Sequence, residues 1–83
     1  MSQPFAIIQY NCRTYESGGV VAVVPGQAAA QELLQSLERG QNEEDRYAGW
    51  RYFIEQSDLA PGTDAQQATK LRQMRLDRQD SEA

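Results

Sequence analysis

The chain has 83 residues, with eight Lys and Arg against twelve Asp and Glu, a net charge of −4 and a pI near 4.6. This acidic balance argues against a basic nucleic-acid-binding domain and against adsorption to anionic membranes. The length suits one domain, so we predict a single unit over residues 1–78 and a frayed tail over 79–83. Such a domain buries only about 60–65% of its unfolded surface, so we expect a bound partner or a second copy to add stability.

The cysteine and histidine content excludes two further classes of protein, those with internal disulfides and those with an ordinary zinc site. Cys12 is the only cysteine and histidine is absent, so neither an internal disulfide nor a zinc site of the usual ligands can form within one chain. No phosphate-binding glycine loop is present, and we expect no cofactor. Residues 1–4 carry no basic signal region, and the apolar run 20–25 is too short to span a bilayer. These features predict a cytoplasmic protein with no membrane attachment.

The first predicted element is a β-hairpin. Apolar or aromatic residues alternate with polar residues within residues 5–16, which is typical of a half-buried strand. One face of this strand comprises Ala6, Ile8, Tyr10, Cys12 and Thr14. Gly18 and Gly19 supply the positive-φ residues for a tight turn, and the apolar run 20–24 predicts a second strand buried on both faces.

An amphipathic helix is predicted over residues 27–39. Ala30, Leu33, Leu34 and Leu37 are spaced to form one apolar face. Gly40 stands where a left-handed C-cap residue belongs. We expect the leucines to pack on the inner face of the hairpin, which stabilises the fold by about 2 kcal/mol for each side chain.

Residues 41–58 fit two secondary structures. As a helix, the segment has Asn42 at the N-cap and the acidic trio Glu43, Glu44 and Asp45 in its first turn. As a strand, it places Trp50, Tyr52 and Ile54 on an inner face and Arg51 and Phe53 on an outer face. We favour the strand, because a hairpin without a third strand is a poor platform for a core.

A second helix is predicted over residues 64–77, after a loop at Pro61 and Gly62. The segment 63–66 matches a capping box. The apolar face of this helix is thin. The sequence therefore predicts an α+β fold in ββαβα order, with a small antiparallel sheet covered on one face by helix 27–39 and a peripheral C-terminal helix. The alternative architecture has a helix in place of the third strand.

Two features suggest enzyme chemistry, and both have simpler explanations. Cys12 lacks a histidine to activate it, so a small buried hydrophobic residue is the better interpretation. The consecutive carboxylates of the acidic trio cannot converge readily on one cation, so a solvated loop or helix start is the better interpretation. We therefore predict no catalytic residue and no metal site.

Two groups of residues suggest partner binding. Aromatic residues interleaved with Arg46 and Arg51 are typical of binding hot spots, and Phe53 is the outward aromatic of the strand. Arg72, Arg75 and Arg78 recur every third residue and form a stripe able to contact phosphates or an acidic protein. The alternative is that these arginines are solubilising residues paired with nearby acids.

The sequence thus predicts a small non-enzymatic binding or regulatory protein that acts on a larger protein complex, such as an inhibitor of the phage or mobile-element type. The partner-binding candidates are Arg46, Arg51, Phe53, Arg72, Arg75 and Arg78. The alternative function is nucleic-acid association through the Arg-rich helix, and a third is an enzyme built on Cys12 or the acidic trio. A homodimer is compatible with each of these functions.

Overall fold

Three strands and three helices form residues 3–82, which a computed structural model describes, with side chains described to Arg78. In chain order they are β1 (Phe5–Asn11), β2 (Ser17–Val24), α1 (Gln27–Gly40), α2 (Glu43–Ala48), β3 (Trp50–Gln56) and α3 (Ala65–Glu82). The strands form one antiparallel sheet in the order β2-β1-β3. The predicted α+β fold is confirmed, and α2 is an additional short helix between α1 and β3.

The sheet is the middle layer of the molecule, with β1 at its centre. Ala6 and Ile8 point to one face, where they form a buried cluster with Val20, Val23 and Ala68 of α3. Ile7 points to the opposite face because side chains alternate along a strand, and it is fully buried there. Helix α1 packs against all three strands on this second face. Each face of the sheet therefore carries one helix.

Helix α1 packs as its apolar periodicity predicts. Ala30 is fully buried, and Leu33, Leu34 and Leu37 are half-buried. The prediction for Gly40 is wrong, since this residue is the last of α1 and the helix is capped by Gln41 in extended backbone. Nothing after Gly40 requires a left-handed residue, because the chain continues in an extended direction towards α2.

The segment 41–58 contains both of its predicted structures in succession. Asn42 caps α2, and its Oδ1 accepts from the Asp45 N–H at 2.8 Å. Gly49 ends the helix with a φ of 103°, a conformation that favours glycine. Strand β3 follows at once, with Trp50, Tyr52 and Ile54 half-buried and Arg51 and Phe53 exposed. The faces predicted for the strand are confirmed.

The reversal between β1 and β2 differs from the prediction. Strand β1 ends at Asn11, residues 12–16 form the connection, and Gly18 and Gly19 belong to β2. Because Cys12 lies outside the strand, its side chain is exposed, and its predicted role as a buried hydrophobic residue is wrong. The polar side chain of Asn11 bonds the connection and so ends β1 earlier than the alternation suggests.

Helix α3 begins after Asp64, whose Oδ2 accepts from the N–H groups of Gln66 and Gln67 at 3.1 and 3.3 Å. The cap is therefore Asp64, one residue later than the predicted capping box places it, and the helix continues past residue 77. Its first turns pack along β2 through the fully buried Ala68, whereas side chains 73–78 are exposed. Fraying of residues 79–83 stays a prediction, and Ala83 lies outside the described residues. Among the helices described, none has the length and apolar character needed to cross a membrane.

Candidate functional site

The connection between β1 and β2 is held rigidly by Asn11. This side chain is only 4% exposed. Its Oδ1 accepts from the N–H groups of Arg13 and Thr14 at 2.9 and 3.0 Å, and its Nδ2 donates to the Ala48 carbonyl at 3.1 Å. The Asn11 N–H donates to the Glu16 carbonyl at 2.9 Å. Residues 12–16, the hairpin tip, are thus fixed both to the sheet and to the end of α2.

Tyr15 stands at the hairpin tip in an unusual conformation. Its φ is 62° and its side chain is 91% exposed. A left-handed backbone at a residue other than glycine costs about 1–2 kcal/mol, and an exposed ring recovers none of this cost through packing. The backbone is kept in this conformation by the Tyr15 N–H, which donates to the Asn11 carbonyl at 2.9 Å. Strain that the fold maintains without a packing benefit is a sign of a functional position.

A second exposed tyrosine lies beside the tip. Tyr47 of α2 is 77% exposed, and the Cζ of Arg13 lies 5.0 Å from the centre of its ring. This cation–π contact contributes about 0.5–1 kcal/mol at an exposed position. The Cys12 N–H donates to the Gly49 carbonyl at 2.8 Å and so ties the tip to the end of α2. Arg13 of the tip and Tyr47 of α2, which are separate in sequence, are therefore neighbours on the surface.

The hairpin tip adjoins Tyr10 of β1 and, through Tyr10, Phe53 of β3. Tyr10 and Tyr15 line one shallow depression together with Cys12. The ring of Tyr10 packs edge-on against that of Phe53, with 5.5 Å between centroids. We call Tyr10, Arg13, Tyr15 and Tyr47 the tip surface.

Three of the residues predicted to bind a partner lie close to the tip surface. Arg46 and Arg51 line a depression that includes Tyr10, and Phe53 contacts Tyr10 directly. The Nη1 of Arg51 donates to the carbonyls of Arg46 and Trp50 at 3.0 and 2.7 Å. Arg51 therefore folds back on its own chain.

The arginines of α3 lie elsewhere. Arg72 pairs with Glu55 of β3 at 2.7 Å, and Arg75 pairs with Asp58 at 3.1 Å. Arg78 is exposed further along α3. The six predicted residues therefore do not form one site, and two members of the arginine stripe have acidic partners within the chain.

Sequence reasoning missed Arg13 and Tyr15 as surface residues. A signal for the tip was present in Asn11, because asparagine commonly bonds the N–H groups two and three residues later and so starts a turn. Tyr47 belongs to the aromatic segment of residues 47–53, but its place beside the tip depends on the fold.

Within the described part of the chain, no three Cys, Asp or Glu side chains converge in a way that would hold a metal ion. The acidic trio lies in the first turn of α2, where its charges complement the helix dipole. Comparison with family models, with curated proteins and with solved structures gave no match.

Proposed function

We propose that this chain is a non-enzymatic binding protein that attaches to a larger protein through the tip surface. The observation that carries the proposal is Tyr15, which the Asn11 hydrogen bonds hold in a left-handed backbone with its side chain 91% exposed. With 91% of its surface exposed, Tyr15 contributes little packing to the fold. Because the backbone of Tyr15 is already fixed, a partner that binds its ring loses little free energy to ordering this residue.

The composition of the tip surface supports this proposal. Tyrosine and arginine are enriched among the residues that dominate protein-protein binding energy. Here Tyr15 and Tyr47 are the two most exposed large hydrophobic side chains described, and Arg13 lies over one of them. Tyrosine has few rotatable bonds, so burying its ring in a partner costs little conformational entropy.

The same side chains indicate the chemistry of the partner. A surface that receives two tyrosine rings needs apolar pockets, and a carboxylate near these pockets would pair with Arg13. In this proposal the protein works in the cytoplasm without a cofactor and regulates its partner by covering part of the partner's surface. An inhibitor of the phage or mobile-element type acts in this manner.

Nucleic-acid association through α3 has less support. Phosphate binding requires arginines whose charges are available, whereas Arg72 and Arg75 pair with Glu55 and Asp58. The net charge of −4 also opposes this alternative.

The proposal is tested by capture of partners from a cytosolic extract with tagged protein, followed by titration of the purified partner. Tyr15→Ser and Tyr47→Ser remove rings from the tip surface. Met74→Ser is the matched control, since Met74 is 53% exposed on α3. We expect a protein that wild type and the control capture equally and that each tip variant binds at least tenfold more weakly. Urea unfolding of all four proteins checks that the variants remain folded. Equal binding by the tip variants, or an equal loss in the control, would contradict the proposal.

A further inference from the structure

The two edges of the sheet differ in how they are protected. Along β2 the pairing with β1 shifts register twice, between Ile7 and Ile8 and between Gln9 and Tyr10. The Val20 N–H donates to Thr69 Oγ1 of α3 at 2.8 Å. Bulges and side-chain contacts of this kind prevent an edge strand from pairing with another chain. Along β3, by contrast, seven residues pair with β1 without any shift.

The backbone groups that β3 presents at its outer side follow from two hydrogen bonds. The Cys12 N–H donates to the Gly49 carbonyl and the Ser57 N–H donates to the Pro4 carbonyl, both at 2.8 Å. Hydrogen-bonded and non-bonded pairs alternate along antiparallel strands. Gly49 and Ser57 both have odd residue numbers. The odd-numbered residues of β3 are therefore the ones whose backbone groups bond β1. The N–H and carbonyl groups of the even residues point away from the sheet.

Most of this outer edge is open in the described part of the chain. The Trp50 carbonyl accepts from Gln41 Nε2 and Arg51 Nη1 at 2.8 and 2.7 Å. No described side chain bonds the outward groups of Tyr52 or Ile54. The edge also contains no proline, and its two charged residues, Arg51 and Glu55, have opposite signs, so they repel a second strand less than a run of like charges does.

The geometry points to an antiparallel contact between the β3 strands of two copies of this chain, centred on Phe53, which joins their sheets into one of six strands. In this register the outward groups of Tyr52 in each copy exchange hydrogen bonds with those of Ile54 in the other. The side chains of this pair are aromatic and β-branched, a combination that stabilises neighbouring strands.

The charges of β3 select this register. With the two-fold axis at Phe53, Arg51 of each copy lies opposite Glu55 of the other. The Oε1 of Glu55 already pairs with Arg72 of its own chain, so the symmetry gives each Glu55 carboxylate a second arginine. Arg51 is exposed and the Glu55 side chain is 36% exposed, and both point to the same face of the sheet. Centring the contact on Tyr52 or Ile54 instead places a charged residue opposite Phe53. Opposite charges across a strand pair are favourable, so the register centred on Phe53 is preferred.

The conformation of Arg51 is compatible with this exchange. In the single chain its Nη1 bonds the Trp50 carbonyl, which is one of the outward groups. When Arg51 turns to Glu55 of a second copy, this donor leaves the Trp50 carbonyl. That carbonyl then gains the Gln56 N–H of the second copy as a partner in the new ladder.

Disulfide trapping tests the register. In a Cys12→Ser background, Phe53→Cys places two thiols opposite each other at a non-bonded pair. The Cα atoms of such a pair are about 4.5 Å apart, which is within the disulfide range of about 4.4–6.8 Å. Arg51→Cys is the matched control on the same face, where each thiol lies opposite Glu55. We expect mild oxidation to cross-link the Phe53→Cys variant at least tenfold faster than the control. Faster cross-linking of the control, or none in either variant, would overturn the proposal.

Sedimentation and amide exchange test the contact without cysteine chemistry. We expect a reversible dimer that Arg51→Glu weakens at least tenfold, since it places two carboxylates opposite each other. Lys70→Glu makes the same charge change on α3 and should leave the dimer intact. The N–H groups of Tyr52 and Ile54 should exchange more slowly as protein concentration rises, whereas those of Phe53 and Glu55 should not change. A chain that remains monomeric at millimolar concentration overturns the proposal.

The dimer and the proposed function fail independently. Tyr15→Ser and Tyr47→Ser alter the tip surface and leave the outer edge of β3 unchanged, so both variants should sediment as wild type does. A loss of partner capture in these variants with an intact dimer separates the two surfaces.

Discussion

The Thr69 hydroxyl of α3 bonds the backbone of β2 and the backbone of its own helix at the same time. Its Oγ1 accepts from the Val20 N–H at 2.8 Å and donates to the Ala65 carbonyl at 2.8 Å. The approach is close, since a Cβ on Gly19 would lie 2.8 Å from Thr69 side-chain atoms. Thr69 and the buried Ala68 therefore anchor α3 to the edge of the sheet.

Replacement of Thr69 by valine tests this anchor. Thr69→Val keeps the shape of the side chain and leaves the largely buried Val20 N–H without its acceptor, so we expect a loss of about 1–3 kcal/mol in the free energy of unfolding. Thr69→Ser retains the hydroxyl and should lose less than the valine variant. Urea unfolding followed by Trp50 fluorescence measures both. Equal stability of Thr69→Val and wild type would contradict the anchoring role.

Asn11 should be the most sensitive asparagine in the chain. Asn11→Ala removes three hydrogen bonds from a side chain that is 4% exposed, and we expect a loss of about 2–3 kcal/mol because buried backbone groups lose their partners. Asn42→Ala is the matched control, since it removes one exposed helix cap and should cost about 1 kcal/mol. Chemical denaturation of the two variants gives the comparison. A smaller loss at Asn11 than at Asn42 would show that the tip is held by other contacts.

Tyr15→Gly should increase stability while it removes binding. Glycine adopts a φ of 62° without steric cost, so we expect a gain of about 0.5–1 kcal/mol after the larger backbone entropy of glycine in the unfolded chain is counted. Glu16→Gly, a change at a neighbouring exposed residue with ordinary φ, should give no gain. Thermal and urea unfolding measure stability, and the capture experiment measures binding. A clear loss of stability in Tyr15→Gly would mean that the ring serves the fold.

Gly49 and Gly40 should respond in opposite ways to alanine. A Cβ at Gly49 would lie 2.7 Å from Asn11 Oδ1, at a residue with a φ of 103°, so we expect Gly49→Ala to lose about 2 kcal/mol or more. Gly40 is the last residue of α1 with nothing within 4 Å of an added Cβ, so Gly40→Ala should gain about 0.5 kcal/mol through helix propensity, less than at an interior position. The two unfolding midpoints should therefore move to opposite sides of the wild-type value.

The elements that sequence analysis predicts well are those whose signals are local and unopposed. The spacing of Ala30, Leu33 and Leu37 predicts the buried face of α1, and the apolar run predicts β2. In residues 41–58 two signals compete, and the structure contains both because Gly49 separates the Asn42-capped helix from the aromatic strand. Glycine is the stronger general turn former and predicts the turn at Gly18 and Gly19, yet the side-chain hydrogen bonds of Asn11 determine where β1 ends.

The candidate site was less predictable because it depends on contacts between distant residues. Arg13 and Tyr47 meet only because β1 and β3 pair. The pairing of Arg72 with Glu55 depends on the position at which α3 crosses the sheet, which no local pattern encodes. The exposure of Tyr15 and Cys12 likewise follows from the bonds of one asparagine and not from their own residue types.

The difference in protection between β2 and β3 limits how many chains can join one sheet. Edge-to-edge addition of strands continues only while each added chain presents another edge with unpaired backbone N–H and carbonyl groups, as in amyloid fibrils. In each chain the opposite edge, β2, is bulged and bonded by Thr69. A contact between two β3 strands therefore pairs the open edge of both chains. In the proposed dimer, assembly by this route stops at two copies, and the dimer presents Tyr15 twice.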